Sequence, residues 1–598
     1  MCTICGLAQA FATKTQPASN ISRRGFIASG LAAGAVIAAG GIGEALADTV
    51  AADVVFVNGK VYTVASKRPW AQAVAVTGRR IAYVGDTAGA KAFISRRTEV
   101  IDLRGKMLIP GFVEAHTHPY VGSAYSQGVD LRYDTREKLL EVLTAYARTT
   151  PASPLVRGFG WRYMAFPQTG PRKQDLDAIW PDRPVFLCAI DIHCAWVNSK
   201  ALQLAGITKD TPDPLPGFSR FERDPQTGEP TGFLVEPPAM VQVLDASEPF
   251  TLDSVAAALG RWLPKASAAG ITSVLDAGVI VVPEDDAFRH YIDLENAGKL
   301  PFRVVGTHYY NDPKTDPIEI ITRLRAKYHT ELVRASVLKL NIDGGLEPYT
   351  AYLLEPYSDK PDTKGVTLLP ADRIKQIVRT ADREGIDVHC HVIGDGAVRL
   401  VLDAIEEAIA ANPPRDRRHS LAHLPLVSDS DLPRFAKLGV TAQSSAQWAV
   451  LDPAMVDIAE KRLGKRADHL FRYNSILRAH GRFTLGTDWP AASYYSTYKP
   501  LDAIEVALTR QEIGKPDAQP LSPISERIDL AQALRANTLD AAYQLRLGKN
   551  AGSIEVGKFA DLAVLQENLF DVPVREIHAT PIVMTMMNGG FTHRSAPD

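Results

Sequence analysis

Between residues 107 and 490 the chain alternates short apolar runs with helical stretches, and this alternation narrows its folding options more than any other feature. Strands that alternate with helices form parallel α/β architectures. One run ends at His116 and His118. The others cover residues 270–278, 301–310, 336–345, 385–395, 418–426, 439–447 and 482–490. Eight such strands close a (β/α)8 TIM barrel, whose catalytic residues sit at the C-terminal strand ends and in the loops that follow.

Polar residues mark those ends. In MLIPGFVEAHTHP, residues 107–119, the two histidines are separated by one residue, so on a strand both project to the same side. With 14 histidines in 598 residues, about 0.3 His-x-His pairs arise by chance, so the pair alone says little. Its company says more: His389 and His391 repeat the spacing, and His423, Lys339 and Asp488 also lie near run ends. Any one of them is ordinarily a hydrogen-bonded, half-buried polar residue. The ordered set points to a metal site, because neutral imidazoles and carboxylate oxygens suit Zn2+.

The flanks have another character. Val-rich segments at 53–64, 71–85 and 98–108 are punctuated by Asn58-Gly59 and Gly78-Arg79-Arg80, which read as tight turns of a small antiparallel sheet. Residues 552–565 and 581–593 look alike, so the two termini, 48–108 and 552–598, are expected to build one composite β-sandwich. The barrel then comprises 109–119 and 265–551. Residues 120–264 are far too long for a βα loop and form an inserted subdomain that leaves at the active-site face.

Residues 20–47 carry Arg23-Arg24, a Gly/Ala-rich apolar run and Ala45-Leu46-Ala47, resembling a twin-arginine (Tat) signal peptide with a cleavage site. The run is short of the ~20 apolar residues of a spanning helix. This implies a periplasmic or secreted protein and a transient partner in the Tat export machinery. A formal charge of −2 without long single-sign runs argues against nucleic acid as a partner; no zinc-finger partners follow Cys2-x-x-Cys5, and removal of that segment would leave three cysteines, too few for a disulfide framework. A homodimer is compatible with these features.

The order His116-x-His118, Lys339, His391, His423, Asp488 resembles the amidohydrolase superfamily. The blocks WVNSKAL, KLNIDGG, HVIGDGAV, LAH and GTDWP are similar to the YtcJ-like group (amidohydrolase family 3), which includes N-substituted formamide deformylases. The resemblance spans nearly everything after residue 50, and the family pattern also settles which doubtful apolar runs are left out of the strand count. It implies one or two divalent ions, most simply Zn2+, held by His116, His118, Lys339, His391, His423 and Asp488. Lys339 has no lone pair to offer as an ammonium, so it ligates only if carbamylated, as the resemblance implies.

Asp488 is expected to be the catalytic base, passing a proton from water to the leaving nitrogen. His389 reads as a core or supporting histidine, and Cys390 as an outward-facing small hydrophobe. Trp161 and His193 are the expected substrate-binding residues, ahead of the aromatics Trp196, Tyr349, Trp448 and Trp489, with Arg162 as a weaker carboxylate clamp. The implied activity is metal-dependent hydrolysis of a C–N amide bond in a small molecule, N-substituted formamides first. Ester or lactone hydrolysis and deamination are alternatives on the same site, and a non-catalytic exported binding protein is the alternative of another class.

Overall fold

The computed structural model describes residues 51–149, 154–491, 496–515 and 517–595; the expected signal peptide, with Cys2 and Cys5, lies outside them. Eight strands form one parallel sheet paired in chain order: β1 (Phe112–Thr117), β2 (Ile271–Asp276), β3 (Arg303–Tyr310), β4 (Val333–Asn341), β5 (Asp387–Val392), β6 (Ser420–His423), β7 (Thr441–Ser444) and β8 (Arg482–Leu485). Backbone bonds beyond β8 draw the sheet closed at its C-terminal end. Asp488 N–H donates to the His116 carbonyl (2.8 Å) and His118 N–H to that of Trp489 (2.9 Å). This is the expected TIM barrel.

Both faces of each strand are covered, as parallel sheets require. In β5 the alternate residues Val388, Cys390 and Val392 pack outward against the helix layer, while His389 and His391 take the other face. Ala371–Arg383 shows why that layer forms: Ile374, Ile377, Val378 and Ala381 repeat at helical spacing and are all buried. Burying each Ile or Val there contributes about 1.5–3 kcal/mol.

The termini do combine, in two sheets. Val54–Val57, Ala73–Thr77, Arg80–Gly85 and Glu99–Asp102 make a four-stranded sheet. Lys60–Tyr62, Trp70–Ala71, Met107–Pro110, Leu562–Leu565, Ile582–Met587 and Gly590–Arg594 make a six-stranded one. Phe56, Val74, Leu108, Leu562 and Val564 belong to one shared core. Two sequence expectations are corrected here. Asn58-Gly59 is not a hairpin turn: it carries the chain from one sheet to the other, and both sheets are mixed, since Val54–Val57 pairs in parallel with Glu99–Asp102 and Lys60–Tyr62 with Met107–Pro110. Met107–Pro110, read together with the first barrel strand, is a sandwich strand. Gly111 separates the two, and a Cβ there would lie 2.2 Å from the Thr272 methyl carbon.

The insertion is a mixed six-stranded sheet, ordered Arg220–Arg223, Pro230–Val235, Cys194–Val197, Val185–Ala189, Val156–Trp161, Val129–Asp130, with an apolar cluster for each face. Its expected end at residue 264 falls inside the helix Leu252–Ala268. That helix already belongs to the barrel wall, where Trp262 stacks on Trp489 at 4.9 Å. No helix among the described residues is long and apolar enough to cross a membrane.

Candidate metal centre and adjoining pocket

The strand ends bring the predicted set together. His116 lies in β1 and His118 just beyond it, Lys339 in β4, His391 in β5, His423 at the end of β6, and Asp488 three residues after β8. The Asp488 Oδ1 atom is 3.2 Å from His116 Nε2 and 3.4 Å from His118 Nε2, and its Oδ2 is 3.5 Å from His423 Nδ1. Lys339 Nζ lies 3.5 Å from His116 Nε2. Donors held about 2.1 Å from one tetrahedral ion stand about 3.4 Å apart, so this spacing fits a shared cation.

Electrostatics and orientation agree with that fit. Burial holds His116, His391 and His423 well below the ordinary imidazole pKa, keeping their lone pairs available. His391 Nε2 and both ring nitrogens of His423 are buried without a hydrogen-bond partner among the described residues. Such orphaned nitrogens are costly unless a ligand takes them. The far nitrogens of the first pair are already engaged: His118 Nδ1 faces the Gly278 carbonyl at 3.1 Å, and His116 Nδ1 lies 2.7 Å from His389 Nε2. These contacts orient Nε2 toward the centre.

His389 is in turn held by Ser420 Oγ at 2.7 Å, so it braces His116 from below. Burial draws the Lys339 amine down to about 8, despite the nearby Asp488. The backbone is strained at two of these positions: His423 has φ +76° and Asp488 φ +57°, where a residue other than glycine is uncommon.

His193 comes from the insertion and lines the same pocket as His118, Lys339, His391, His423 and Asp488. Its ring lies 5.5 Å from that of His391. Its Nδ1 is 2.7 Å from Glu236 Oε2, and Thr350 Oγ1 donates to the other Glu236 oxygen at 2.6 Å. Burial opposes the charged ring, but Glu236 outweighs it and pushes His193 up to about 10. Glu236 itself is fully buried at φ +66° and ψ +153°, a region normally left to glycine.

The other expected pocket residues divide. Trp161 is fully buried in the insertion's own core and its indole N–H is spent on the Leu187 carbonyl (2.8 Å); it reaches an outer groove but not the pocket around the histidines, which corrects its expected role as a substrate contact there. Arg162 is no free clamp, since it pairs with Asp134 at 2.5 Å. Trp196 and Trp489 are core residues. Trp448 does line the pocket, stacked on His423 at 5.1 Å and pinned by its N–H to the Ala491 carbonyl (2.8 Å).

Sequence reading missed Glu236, Asp191, Tyr309 and Asn341 as pocket neighbours. A weak signal existed for two of them. Asp191 sits two residues before His193, and Glu236 ends an apolar strand directly before Pro237-Pro238, the kind of strand-end polar residue used to find the barrel set.

Comparison with known proteins gives consistent likenesses. The sequence pattern of the amidohydrolase family matches residues 99–593. An N-substituted formamide deformylase from Arthrobacter pascens is 28% identical over 551 residues, 90% of this chain and 97% of that protein. Protein LONG AFTER FAR-RED 3 of Arabidopsis thaliana is 29% identical over 90% of this chain and 91% of its own. Among solved structures, an uncharacterized metal-dependent hydrolase from Pyrococcus furiosus superposes with a TM-score of 0.64 at 25% identity, covering 86% of this chain and 99% of that one.

Proposed function

Because the chain belongs to the amidohydrolase family, we propose that it hydrolyses the C–N bond of small N-substituted amides, with N-substituted formamides as the leading class. The observation that carries this reading is the spacing of donor atoms around Asp488, 3.2–3.5 Å from three imidazoles at barrel strand ends. His116, His118 and Asp488 would hold a first divalent ion, with zinc the leading candidate, and His391, His423 and Lys339 would complete a one- or two-ion site. Lys339 would take part as a carbamate, and burial of its amine favours the neutral form that such modification needs. An ion held there supplies Lewis acidity, polarising a carbonyl and lowering the pKa of water.

The chain's own residues do the rest. Asp488 accepts the proton of the water whose oxygen attacks the carbonyl carbon, then delivers it to the nitrogen as the C–N bond breaks, releasing a carboxylic acid and an amine. His389 keeps His116 aimed inward. His193, fixed by Glu236, is placed to hydrogen-bond the amide, and Trp448 supplies a flat apolar wall. The deformylase likeness over 97% of that relative supports the formamide assignment.

The test couples elemental analysis of the purified protein with kcat/KM across formanilide-type amides, N-acyl amino acids, aryl esters and lactones. One or two bound divalent ions per chain, chelator-sensitive turnover and a preference for amides are expected. Turnover untouched by chelators in metal-free protein, or amides far slower than every ester and lactone, would overturn the assignment.

A further inference from the structure

The cavity beside the metal-site pocket carries more negative charge than its walls neutralise. The two spaces share Asp191, His193, Trp448 and Ala491, so the second opens off the first. Its other walls are largely apolar, with Ile190, Leu346, Ile393, Met455 and Phe471. The cations nearby are spent elsewhere. His193 answers Glu236, and Arg162 pairs with Asp134. Arg462 pairs with Asp457 and donates to the Glu347 backbone carbonyl at 3.3 Å. Asp452 is occupied as a helix cap, accepting from Met455 N–H at 2.8 Å.

Two further carboxylates stand at the cavity's openings, Asp191 on the side of the metal-site pocket and Glu347 on the side of an outer groove. Asp191 accepts only from neutral donors, the Tyr163 hydroxyl (2.9 Å) and the His193 amide (3.0 Å), and Glu347 has no ion pair among the described residues. Burial and the neighbouring Asp191 push the Glu347 carboxyl up to about 7, outweighing the charges of Arg462 and His193, which are spent on other carboxylates. A divalent ion is a poor occupant, since hard cations need six or more oxygens and these walls are hydrocarbon. A single organic cation meets both requirements, offering charge to the carboxylates and carbon to the walls. Glu347 also borders an outer groove with Tyr163, Phe166 and Tyr349, aromatic faces that tolerate a passing cation.

We propose that this cavity binds a protonated amine carried on the non-reacting part of the substrate, so that Asp191 and Glu347 select amides with a basic tail over neutral or anionic ones. The inference rests on the hydrolase reading above for where the scissile bond lies, and its test separates the two. With metal-loaded full-length protein, kcat/KM is compared for N-(4-aminomethylbenzyl)formamide and its neutral isostere N-(4-ethylbenzyl)formamide. Two analogues without a scissile bond, 4-(aminomethyl)benzyl alcohol and its neutral counterpart 4-ethylbenzyl alcohol, are titrated calorimetrically. The basic member should lead by about tenfold or more in both measurements. The ratio should fall to within about twofold in Glu347→Gln and in Asp191→Asn. A wild-type ratio of one or less, or a ratio unchanged in both variants, overturns the proposal. If neither formamide is hydrolysed, the amidase reading fails while the calorimetric ratio still decides this one.

Discussion

Replacing Asp488 by asparagine removes a negative charge and a proton acceptor while leaving the backbone almost undisturbed. Asp488 sits at φ +57° and is buried, so most substitutions there add strain; asparagine is one of the few residues that enter this region readily. Its amide oxygen can still face one imidazole, so the wall of the pocket keeps its shape. What is lost is proton affinity. A positioned general base contributes about 10²–10⁴ in rate, so kcat should fall by that factor, a rise of about 2.7–5.5 kcal/mol in the barrier. The variant also weakens the donor set, because the Asp488 carboxylate lies 3.2–3.5 Å from ring nitrogens of three histidines. The assay therefore follows kcat as metal is titrated to saturation, with elemental analysis at each point and a thermal melt to confirm folding. If Asp488 is the base, turnover stays low at full occupancy. Activity that returns to the wild-type value as metal is added would leave Asp488 as a ligand only and refute the proton-transfer role.

Two further outcomes test other parts of the chain. Changing Arg23 and Arg24 together to lysine should retain the protein in the cytoplasm, as expected if residues 20–47 are a twin-arginine signal; undiminished export of that variant, measured by fractionation, refutes the route. Asp382 is buried and accepts from Arg415, Arg417 and Asn412 at 2.7–3.0 Å, and although burial opposes its charge, bonds from His419 and these groups hold its carboxyl well below the ordinary range. Its contribution is then complete above about pH 4 and lost as pH falls toward the lowered value, so Asp382→Asn should cost about 3 kcal/mol in urea unfolding at pH 7, with a gap that narrows on acidification. A gap independent of pH contradicts the ion-pair account.

The barrel was legible because its signals are local. Each strand is a short apolar run with a polar residue near its end, and the parallel sheet buries both faces, so the run survives intact in the sequence. The reading failed where a choice is made by distant contacts. Asn58-Gly59 has the composition of a hairpin turn, yet the partners available to Lys60–Tyr62 are Met107–Pro110 and Trp70–Ala71, so the same dipeptide becomes a crossing between sheets. Trp161 was expected in the pocket because of where the insertion departs, but Tyr163, Phe166 and Phe233 enclose it within the insertion's own core. Glu236 went unseen for the opposite reason: a lone glutamate before two prolines is unremarkable until His193 is found against it, 43 positions away in sequence.

The positions of backbone strain show how the two parts of the molecule divide the work. His423 and Asp488 take left-handed conformations at the end of β6 and just beyond β8, and Glu236 has a positive φ after the last strand of the insertion, each costing on the order of 1–3 kcal/mol that the surrounding packing must hold. The barrel pair is fixed by sheet hydrogen bonds, since Asp488 N–H is bonded to the His116 carbonyl, so the donor set is as rigid as the barrel itself. Glu236 is fixed from two sides, by the insertion strand that ends at Val235 and by Thr350 in the loop after β4. His193 therefore reports the seating of the insertion on the barrel, and it meets the donor set at His391, ring to ring at 5.5 Å. Substitutions in the insertion that leave its core intact should change which amides are accepted and their KM, and those at the strand ends should change turnover for every substrate alike.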